Sequence, residues 1–366
     1  MPSLATDSCD NASDPVTHKG EVKKMRKTLF ATALAMGIGL LAMGAAVAAD
    51  MPGEGKTVKS ARANWDTFWF GSAVVQIGLE RLGYKIDGPS TLNNPARFSA
   101  LGLGDIHYET DTIMPNHKGN VDKQGDKLEL IGPFMSPGSI SGYLIDKKTA
   151  DKHGITNVDD LKKPAIAKLF DRDKDGKADL IGCNPGWSCE TITNHHMKAY
   201  DLDGTVEHII GEYNILVGDT VARYKAGEPV LLFAWYPNSA TVQMTPGKDL
   251  IWLQVSKTDL PGGGFSDADT TMKNITGCAG GSGPCNTGWS RVEYYIGTNK
   301  AWLAKNPAAR KFFELIKMEL GDRVIQNVAM SNGEDSEADL RRHANEWIAK
   351  NKSAFESWLD QARAAK

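Results

Sequence analysis

Short apolar runs typical of β-strands alternate with helical patterns along most of this 366-residue chain. The run Pro229–Trp235 has the composition of a buried strand and ends at Pro237, whereas Asp66–Leu82 has helical spacing and stops at Gly83. Tyr143–Ile145 predicts another strand, with helical stretches after it. This alternation favours α/β lobes with mainly parallel sheets over an all-β sandwich.

The N-terminal region has the three parts of a secretory signal peptide. Basic side chains at 23–27 precede an apolar stretch at 29–41, and Ala46-Val47-Ala48 forms a small-residue cleavage site. We expect residues 25–48 to be a cleaved signal peptide and Met25 to be the natural start, which leaves residues 1–24 as an extension with no role that the sequence indicates. The alternative is an uncleaved membrane anchor, which the short length and the Ala and Gly content of the apolar stretch disfavour. The mature protein is therefore expected in the periplasm.

Charge and length narrow the class of protein further. Without residues 1–48, which hold five basic and four acidic side chains, the chain carries 37 basic and 41 acidic ones. This balance argues against a nucleic-acid partner. The remaining stretch of about 318 residues exceeds what one compact core usually organises. We expect two lobes, one built from residues 49–139 with 257–366 and the other from residues 140–256.

Four cysteines remain after the signal peptide, an even number at short spacings. In an oxidising compartment they predict two local disulfides, Cys183–Cys189 and Cys278–Cys285. Neither pair has the Cys-x-x-Cys spacing of a redox motif, so we interpret both as structural. The second pair lies in the Gly- and Asp-rich stretch Pro261–Gly288, which is expected to form a long surface loop.

The segment Gly182–Glu190 holds the first cysteine pair and leads directly into a helical run. A Gly/Pro turn that opens a helix presents free backbone N–H groups at the positive end of the helix dipole, where an anionic oxygen can bind. Trp187 projects from the same turn. One short segment therefore offers an indole face for a cation and N–H donors for an oxygen, which suits a small zwitterion such as a betaine or an amine oxide.

Further tryptophans are needed to hold a desolvated quaternary ammonium group, because each aromatic face contributes only about 0.5 to 2 kcal/mol. Trp235 ends the buried strand, where α/β folds place their ligands. Trp65 and Trp69 are four residues apart and would share one face of a helix. A single tryptophan is more often part of the core, but several near one site favour an aromatic box.

Four segments closely resemble the glycine betaine-binding proteins of osmoregulatory ABC importers. They are Gly142–Ala150, Ala165–Asp171, Gly182–Glu190 and Lys248–Val255. The resemblance implies an α/β, type II-like periplasmic binding protein with two lobes, which closes around a ligand in the inter-lobe cleft. It also implies delivery of that ligand to an ABC permease and its ATPase, with no cofactor. We expect a monomer.

In that family three tryptophans surround the trimethylammonium group, while backbone N–H groups and a histidine bind the carboxylate. The resemblance implies that Trp187 and Trp235 are two walls of the box. It assigns the backbone donors to Ser188 and Cys189, and the oxygen-binding histidine to His117.

The chain departs from the family at the third wall, where Ile113 replaces a tryptophan. Trp65 and Trp69 are the candidates for the missing wall. Glu109 and Asp111 lie just upstream, either facing a cation or exposed at the rim of the site. Carboxylates facing the ligand would repel a ligand carboxylate. This departure favours trimethylamine N-oxide as the ligand, with glycine betaine, choline or carnitine as the alternatives.

The segment 171–179 matches the first half of an EF-hand-like calcium loop, with the turn glycine at position 6. Its candidate ligands occupy positions 1, 3, 5, 7 and 9: Asp171, Asp173, Asp175, Lys177 and Asp179. The bidentate glutamate expected at position 12 is replaced by Gly182. The pattern therefore predicts either a structural calcium ion or an ordinary Asp/Gly turn.

A secreted enzyme acting on methylated amines is the alternative from a different class, with His117 and Glu109 as an acid/base pair. The sequence has no Gly-x-Ser-x-Gly elbow, no His-Glu-x-x-His motif and no Gly-rich phosphate loop. A sensory binding protein of the same fold is a further alternative. We interpret the chain as a transport protein without catalytic activity.

Overall fold

The computed structural model describes residues 51–365. The predicted signal peptide at 25–48 and the extension at 1–24 lie outside the described residues. Within 51–365, no helix has the length and apolarity that a membrane crossing requires.

Twelve strands and fourteen α-helices are present in residues 51–365. The strands are β1 (Thr57–Ala63), β2 (Lys85–Leu92), β3 (Tyr108–Met114), β4 (Leu128–Met135), β5 (Ile140–Asp146), β6 (Ala178–Ile181), β7 (Val206–Ile209), β8 (Leu231–Tyr236), β9 (Leu250–Trp252), β10 (Thr271–Met272), β11 (Cys285–Asn286) and β12 (Glu293–Asn299). The helices are α1 (Trp69–Arg81), α2 (Asn94–Leu103), α3 (Lys118–Asp122), α4 (Lys147–His153), α5 (Pro164–Ala167), α6 (Ser188–Ala199), α7 (Tyr213–Lys225), α8 (Ser239–Gln243), α9 (Asp267–Thr270), α10 (Lys300–Ala304), α11 (Pro307–Leu315), α12 (Leu320–Ser331), α13 (Glu337–Lys350) and α14 (Lys352–Arg363).

Helix α1 ends where the sequence predicts, at Gly83. The backbone there has a conformation that a residue without a side chain adopts most easily. Gly83 has φ of +92°, a left-handed conformation that disfavours other residues. The start differs from the prediction, because Asp66–Phe68 is a 3-10 turn and the α-helix begins at Trp69. Trp65 precedes this turn in an extended conformation.

Two five-stranded sheets form the centres of two lobes. The first has the order β2-β1-β3-β12-β4, and the second has the order β7-β6-β8-β5-β9. Each sheet combines two parallel and two antiparallel pairings. The expectation of mainly parallel sheets is therefore wrong. β5 opens the second sheet and β12 returns to the first, and both strands run antiparallel to the neighbours they join.

Each lobe has its own hydrophobic core. The core of the first lobe packs α1, α11, α13 and α14 against the first sheet, and includes the C-terminal residues Trp347, Phe355 and Leu359. The core of the second lobe surrounds β5, β6 and β8.

The predicted lobe boundary at residue 256 differs from the packing. Met272, Cys285 and Trp289 lie in the core of the second lobe, and the Trp252 N–H donates to the Gly277 carbonyl at 2.7 Å. The segment after Val255 is therefore not a surface loop of the first lobe. Its apolar side chains cover the edge of the second sheet at β9.

Both predicted disulfides are present. Cys183–Cys189 joins the segment after β6 to the first turn of α6, with Cα atoms 6.5 Å apart. Cys278–Cys285 closes the segment that packs beside β9. The first bridge fixes the turn that precedes α6 at the face of the second lobe.

Candidate ligand-binding site

A cavity that is partly open to solvent lies between the two lobes. The first lobe contributes Trp65, Asn94, Ile113, Asn116, His117, Tyr294 and Arg323. The second lobe contributes Ser141, Trp187, Ser188, Cys189, Phe233, Trp235 and Trp289, and Ser139 and Val292 come from the two crossings between the lobes.

Four indoles line this cavity, and three of them, those of Trp65, Trp187 and Trp235, lie side by side. The Trp187 ring lies 5.1 Å from the Trp65 ring and 6.2 Å from the Trp235 ring, in edge-to-face arrangements. Tyr213 stacks on Trp235 at 4.8 Å and supports it. The three rings come from separate chain segments and from both lobes. An ammonium group among them would contact several electron-rich faces at once.

Trp187 also connects the lobes directly. Its indole N–H donates to the Asn64 side chain at 2.8 Å, and Asn64 is in the segment between β1 and α1 of the first lobe. A second polar contact between the lobes, Asn214 to Asp66, lies nearby at 3.3 Å. The cleft is therefore bridged on the side where Trp65 and Trp187 meet.

The turn before α6 leads from a left-handed glycine directly into the helix. Gly186 has φ of +82°, which favours glycine, and its N–H donates to the Glu190 carboxylate at 2.8 Å. Trp187 is the N-cap residue and supplies no side-chain cap. The first N–H groups of a helix have no partner within the helix. Those of Ser188 and Cys189 are therefore available to an oxygen in the cavity.

His117 is a neutral hydrogen-bond donor toward the cavity. Its Nδ1 accepts the Ile113 N–H at 3.0 Å, so Nε2 carries the proton of the neutral ring. Burial, and then the charge of Arg97, hold the pKa of His117 well below its usual range. The ring also lies 5.9 Å from Trp65, which brings a donor beside the aromatic walls.

Glu109 and Asp111 do not line the cavity, contrary to the expectation that they face a cation or the rim. Both are fully buried in the first lobe. Glu109 pairs with the Arg97 guanidinium at 3.2 Å and accepts the Asp111 N–H. Burial raises the pKa of Glu109 to about 7, and the Arg97 charge opposes that rise. Because Glu109 is enclosed in this network, an acid/base pair with His117 is not assembled at the cavity.

Trp69 is also outside the cavity. Its ring packs under the Arg62 guanidinium at 3.7 Å, and its N–H donates to the Ala63 carbonyl. The pairing with Trp65 fails because Trp65 lies before the 3-10 turn in an extended conformation, so the four-residue helical spacing does not apply. Trp65 alone faces Trp187 and His117.

Several cavity residues were not identified from the sequence. Trp289 is in the Gly-rich segment, and its indole N–H has no hydrogen-bond partner within residues 51–365. Tyr294 is on β12 and Arg323 on α12. These residues are far apart in the sequence and belong to no local motif, so only the tertiary fold brings them to the site.

The acidic segment brings carboxylates together on the surface of the second lobe. Oxygens of Asp171, Asp173 and Asp179 lie within 4.8 Å of one another, and Asp173 and Asp175 form a second group with Glu207. The same carboxylates accept backbone N–H groups within the turn, such as Lys174 to Asp171 at 2.7 Å. Both the calcium site and the plain Asp/Gly turn therefore remain predictions.

Two α/β lobes, two chain crossings and a cleft with indole walls and hydrogen-bond donors define a two-lobed periplasmic binding protein. Solved structures support this fold. Lactococcal OpuAC, in a closed conformation with glycine betaine, has a TM-score of 0.62 at 16% identity and covers 83% of this chain and 99% of that one. A choline-binding protein of an ABC transporter, with choline, has a TM-score of 0.63 at 17% identity, covering 83% and 92%.

The family model for the substrate-binding domain of ABC-type glycine betaine transport systems matches residues 56–350. The glycine betaine/proline betaine-binding periplasmic protein of Escherichia coli is 40% identical over 339 residues, which cover 92% of this chain and 98% of that protein. The glycine betaine-binding periplasmic protein OusX of Dickeya dadantii is 40% identical over 328 residues, covering 89% and 96%. The chain belongs to this family of substrate-binding domains.

Membership of this family confirms four of the predictions. The chain is a solute-binding component of an ABC transport system and not an enzyme. It is a periplasmic protein, like the relatives it matches. Proteins of this family bind their solutes without a cofactor.

Proposed function

We propose that the chain binds glycine betaine in the inter-lobe cavity and delivers it to an ABC permease and its ATPase. The trimethylammonium group would lie among Trp65, Trp187 and Trp235. The carboxylate would accept hydrogen bonds from the His117 Nε2–H and from the first N–H groups of α6. The observation that carries this proposal is the convergence of three indoles and these oxygen-directed donors on one cavity.

Glycine betaine is preferred over trimethylamine N-oxide, the ligand that the sequence favours, because of where the carboxylates lie. The preference for the N-oxide relied on acidic groups facing the ligand. Glu109 instead pairs with Arg97 inside the first lobe, so it does not oppose a ligand carboxylate. The 40%-identical relatives from Escherichia coli and Dickeya dadantii, named for binding glycine betaine, support the same choice.

Calorimetric titration of the purified mature protein with glycine betaine, trimethylamine N-oxide, choline and carnitine tests the proposal. Glycine betaine is expected to bind most tightly, and Trp187→Ala is expected to abolish binding while the protein remains folded by circular dichroism. Tighter binding of the N-oxide would reverse the choice of ligand. Normal affinity in Trp187→Ala would refute the site itself.

A further inference from the structure

Arg323 is a buried cation in the wall of the cavity. The residue is on α12 and only 1% exposed. Its Nη1 donates to the Ser139 hydroxyl at 3.1 Å, while Nε and Nη2 have no hydrogen-bond partner within residues 51–365. A buried charge with unpaired N–H groups is costly unless something completes its hydrogen bonds.

The other two buried arginines of the described chain have carboxylate partners. Arg97 pairs with Glu109 at 3.2 Å, and Arg62 pairs with Glu337 at 2.5 Å. Burial raises the pKa of the Asp111 carboxyl, and the charges of Arg97 and, more weakly, Arg323 act against that rise. Asp111 therefore interacts electrostatically with Arg323, but no hydrogen bond joins the two. The Asp111 carboxylate accepts the Ala63 N–H instead.

The guanidinium is held in place by aromatic rings. Its central carbon lies 4.6 Å from the Tyr294 ring and 5.0 Å from the Phe68 ring. Rings on which a guanidinium stacks fix its plane, and the bond to Ser139 fixes its rotation about that plane. Arg323 is therefore a positioned donor, in contrast to an exposed arginine that moves freely in solvent.

A hydroxyl beside Arg323 adds a further donor. The Ser139 and Tyr294 hydroxyls lie 2.9 Å apart, and either can donate to the other. Because Ser139 also accepts from Arg323, one of the two O–H groups remains free whichever way the pair is oriented. Ser139, Tyr294 and Arg323 all line the cavity, and together they form a donor-rich polar patch with no acidic member.

We propose that Arg323 is the charge partner of the ligand carboxylate and makes the cavity selective for methylated ammonium compounds that carry an anionic arm. This inference rests on the proposed function. A carboxylate has two oxygens with about four acceptor positions, so one oxygen can accept from His117 and α6 while the other accepts from Arg323. A cation such as choline, which lacks the carboxylate, leaves Arg323 unpaired and adds a second positive charge to the cavity.

A cycle that varies both the protein and the ligand tests this role. Glycine betaine and its methyl ester are titrated into the wild-type protein and into Arg323→Gln, and the ratio of the two affinities is compared between the proteins. Effects of the substitution that are unrelated to the carboxylate cancel in this ratio. The wild-type ratio is expected to fall by about 10- to 100-fold in Arg323→Gln, the range for a hydrogen bond to a charged group.

Controls separate this inference from the proposed function. Arg310→Gln removes a guanidinium from the same lobe, where Arg310 pairs with Glu129 away from the cavity, and should leave the ratio unchanged. If Arg323→Gln does not fold, Arg323→Lys and the comparison of ester, choline and betaine in the wild-type protein replace it. An unchanged ratio, or wild-type affinities for betaine and ester within threefold, would refute the role of Arg323 while the aromatic site stands. A wild-type protein that binds none of these compounds would refute the proposed function.

Discussion

Trp65 and Trp69 provide a matched pair of substitutions, because they are four residues apart and only one of them lines the cavity. Trp65 is 6% exposed and lies 5.1 Å from Trp187. Trp69 instead packs against Arg62. Replacing each by alanine in turn therefore removes an indole of the same size from the same segment. Only one of the two replacements should affect the ligand.

The size of the Trp65→Ala effect follows from one cation–π wall. A desolvated indole contributes at most about 2 kcal/mol to holding a cation. The Arg97 guanidinium lies 4.9 Å from the Trp65 ring and already makes a cation–π contact with it. We therefore expect a loss of about 1 to 2 kcal/mol, or about 5- to 30-fold in affinity for glycine betaine.

Calorimetric titration measures both variants, with thermal unfolding by circular dichroism as the check on folding. Trp69→Ala is expected to keep its affinity within threefold and to lose stability through the lost packing on Arg62. The assignment of Trp65 as the third wall would be refuted by equal affinity losses in the two variants, or by a neutral Trp65→Ala.

Three further outcomes follow from the structure. Trp187→Phe keeps an aromatic wall but removes the hydrogen bond to Asn64. It should weaken betaine binding less than Trp187→Ala and leave the ligand-bound protein more open in small-angle scattering. Scattering identical to that of the wild type would contradict the bridging role of Trp187. The pKa of His117 is well below its unfolded value near 6.5, so its contribution to stability is present above pH 6.5 and is lost as pH falls below it. The melting temperature of His117→Gln should therefore fall less steeply than that of the wild type between pH 6.5 and 5. Parallel curves would count against the lowered pKa of His117. Calcium should raise the melting temperature of the wild type but not of Asp173→Asn, because Asp173 belongs to both carboxylate groups; the absence of any calcium effect in the wild type would leave the plain Asp/Gly turn.

The sequence predicted the parts of the site that lie in short motifs. The turn at Gly186 and the start of α6 follow from a positive-φ glycine, a disulfide and a helix N-terminus, all of which are local. Trp187, Ser188 and Cys189 are therefore predictable from the sequence without the tertiary fold. Trp235 is predictable in the same way, since the end of a buried strand is a local pattern.

Features that depend on the tertiary fold could not be predicted in this way. The sequence leaves Glu109 either facing the ligand or exposed at the rim, because nothing near it shows that Arg97, twelve residues earlier, reaches it from α2. The sequence predicts that Trp69 pairs with Trp65 because the 3-10 turn between them has no clear sequence signal. Arg323 is on a C-terminal helix far from every motif, and only the return of the chain through β12 brings it beside Tyr294.

We expect the indoles to recognise the positive charge of the ligand and not merely its shape. 3,3-Dimethylbutanoate has the same carboxylate and nearly the same shape as glycine betaine, with a neutral carbon in place of the ammonium nitrogen. Because three indoles each contribute about 0.5 to 2 kcal/mol to a cation, calorimetry should find this analogue bound at least about 10-fold more weakly than glycine betaine. Equal affinity for the two compounds would contradict recognition of the charge by the indoles.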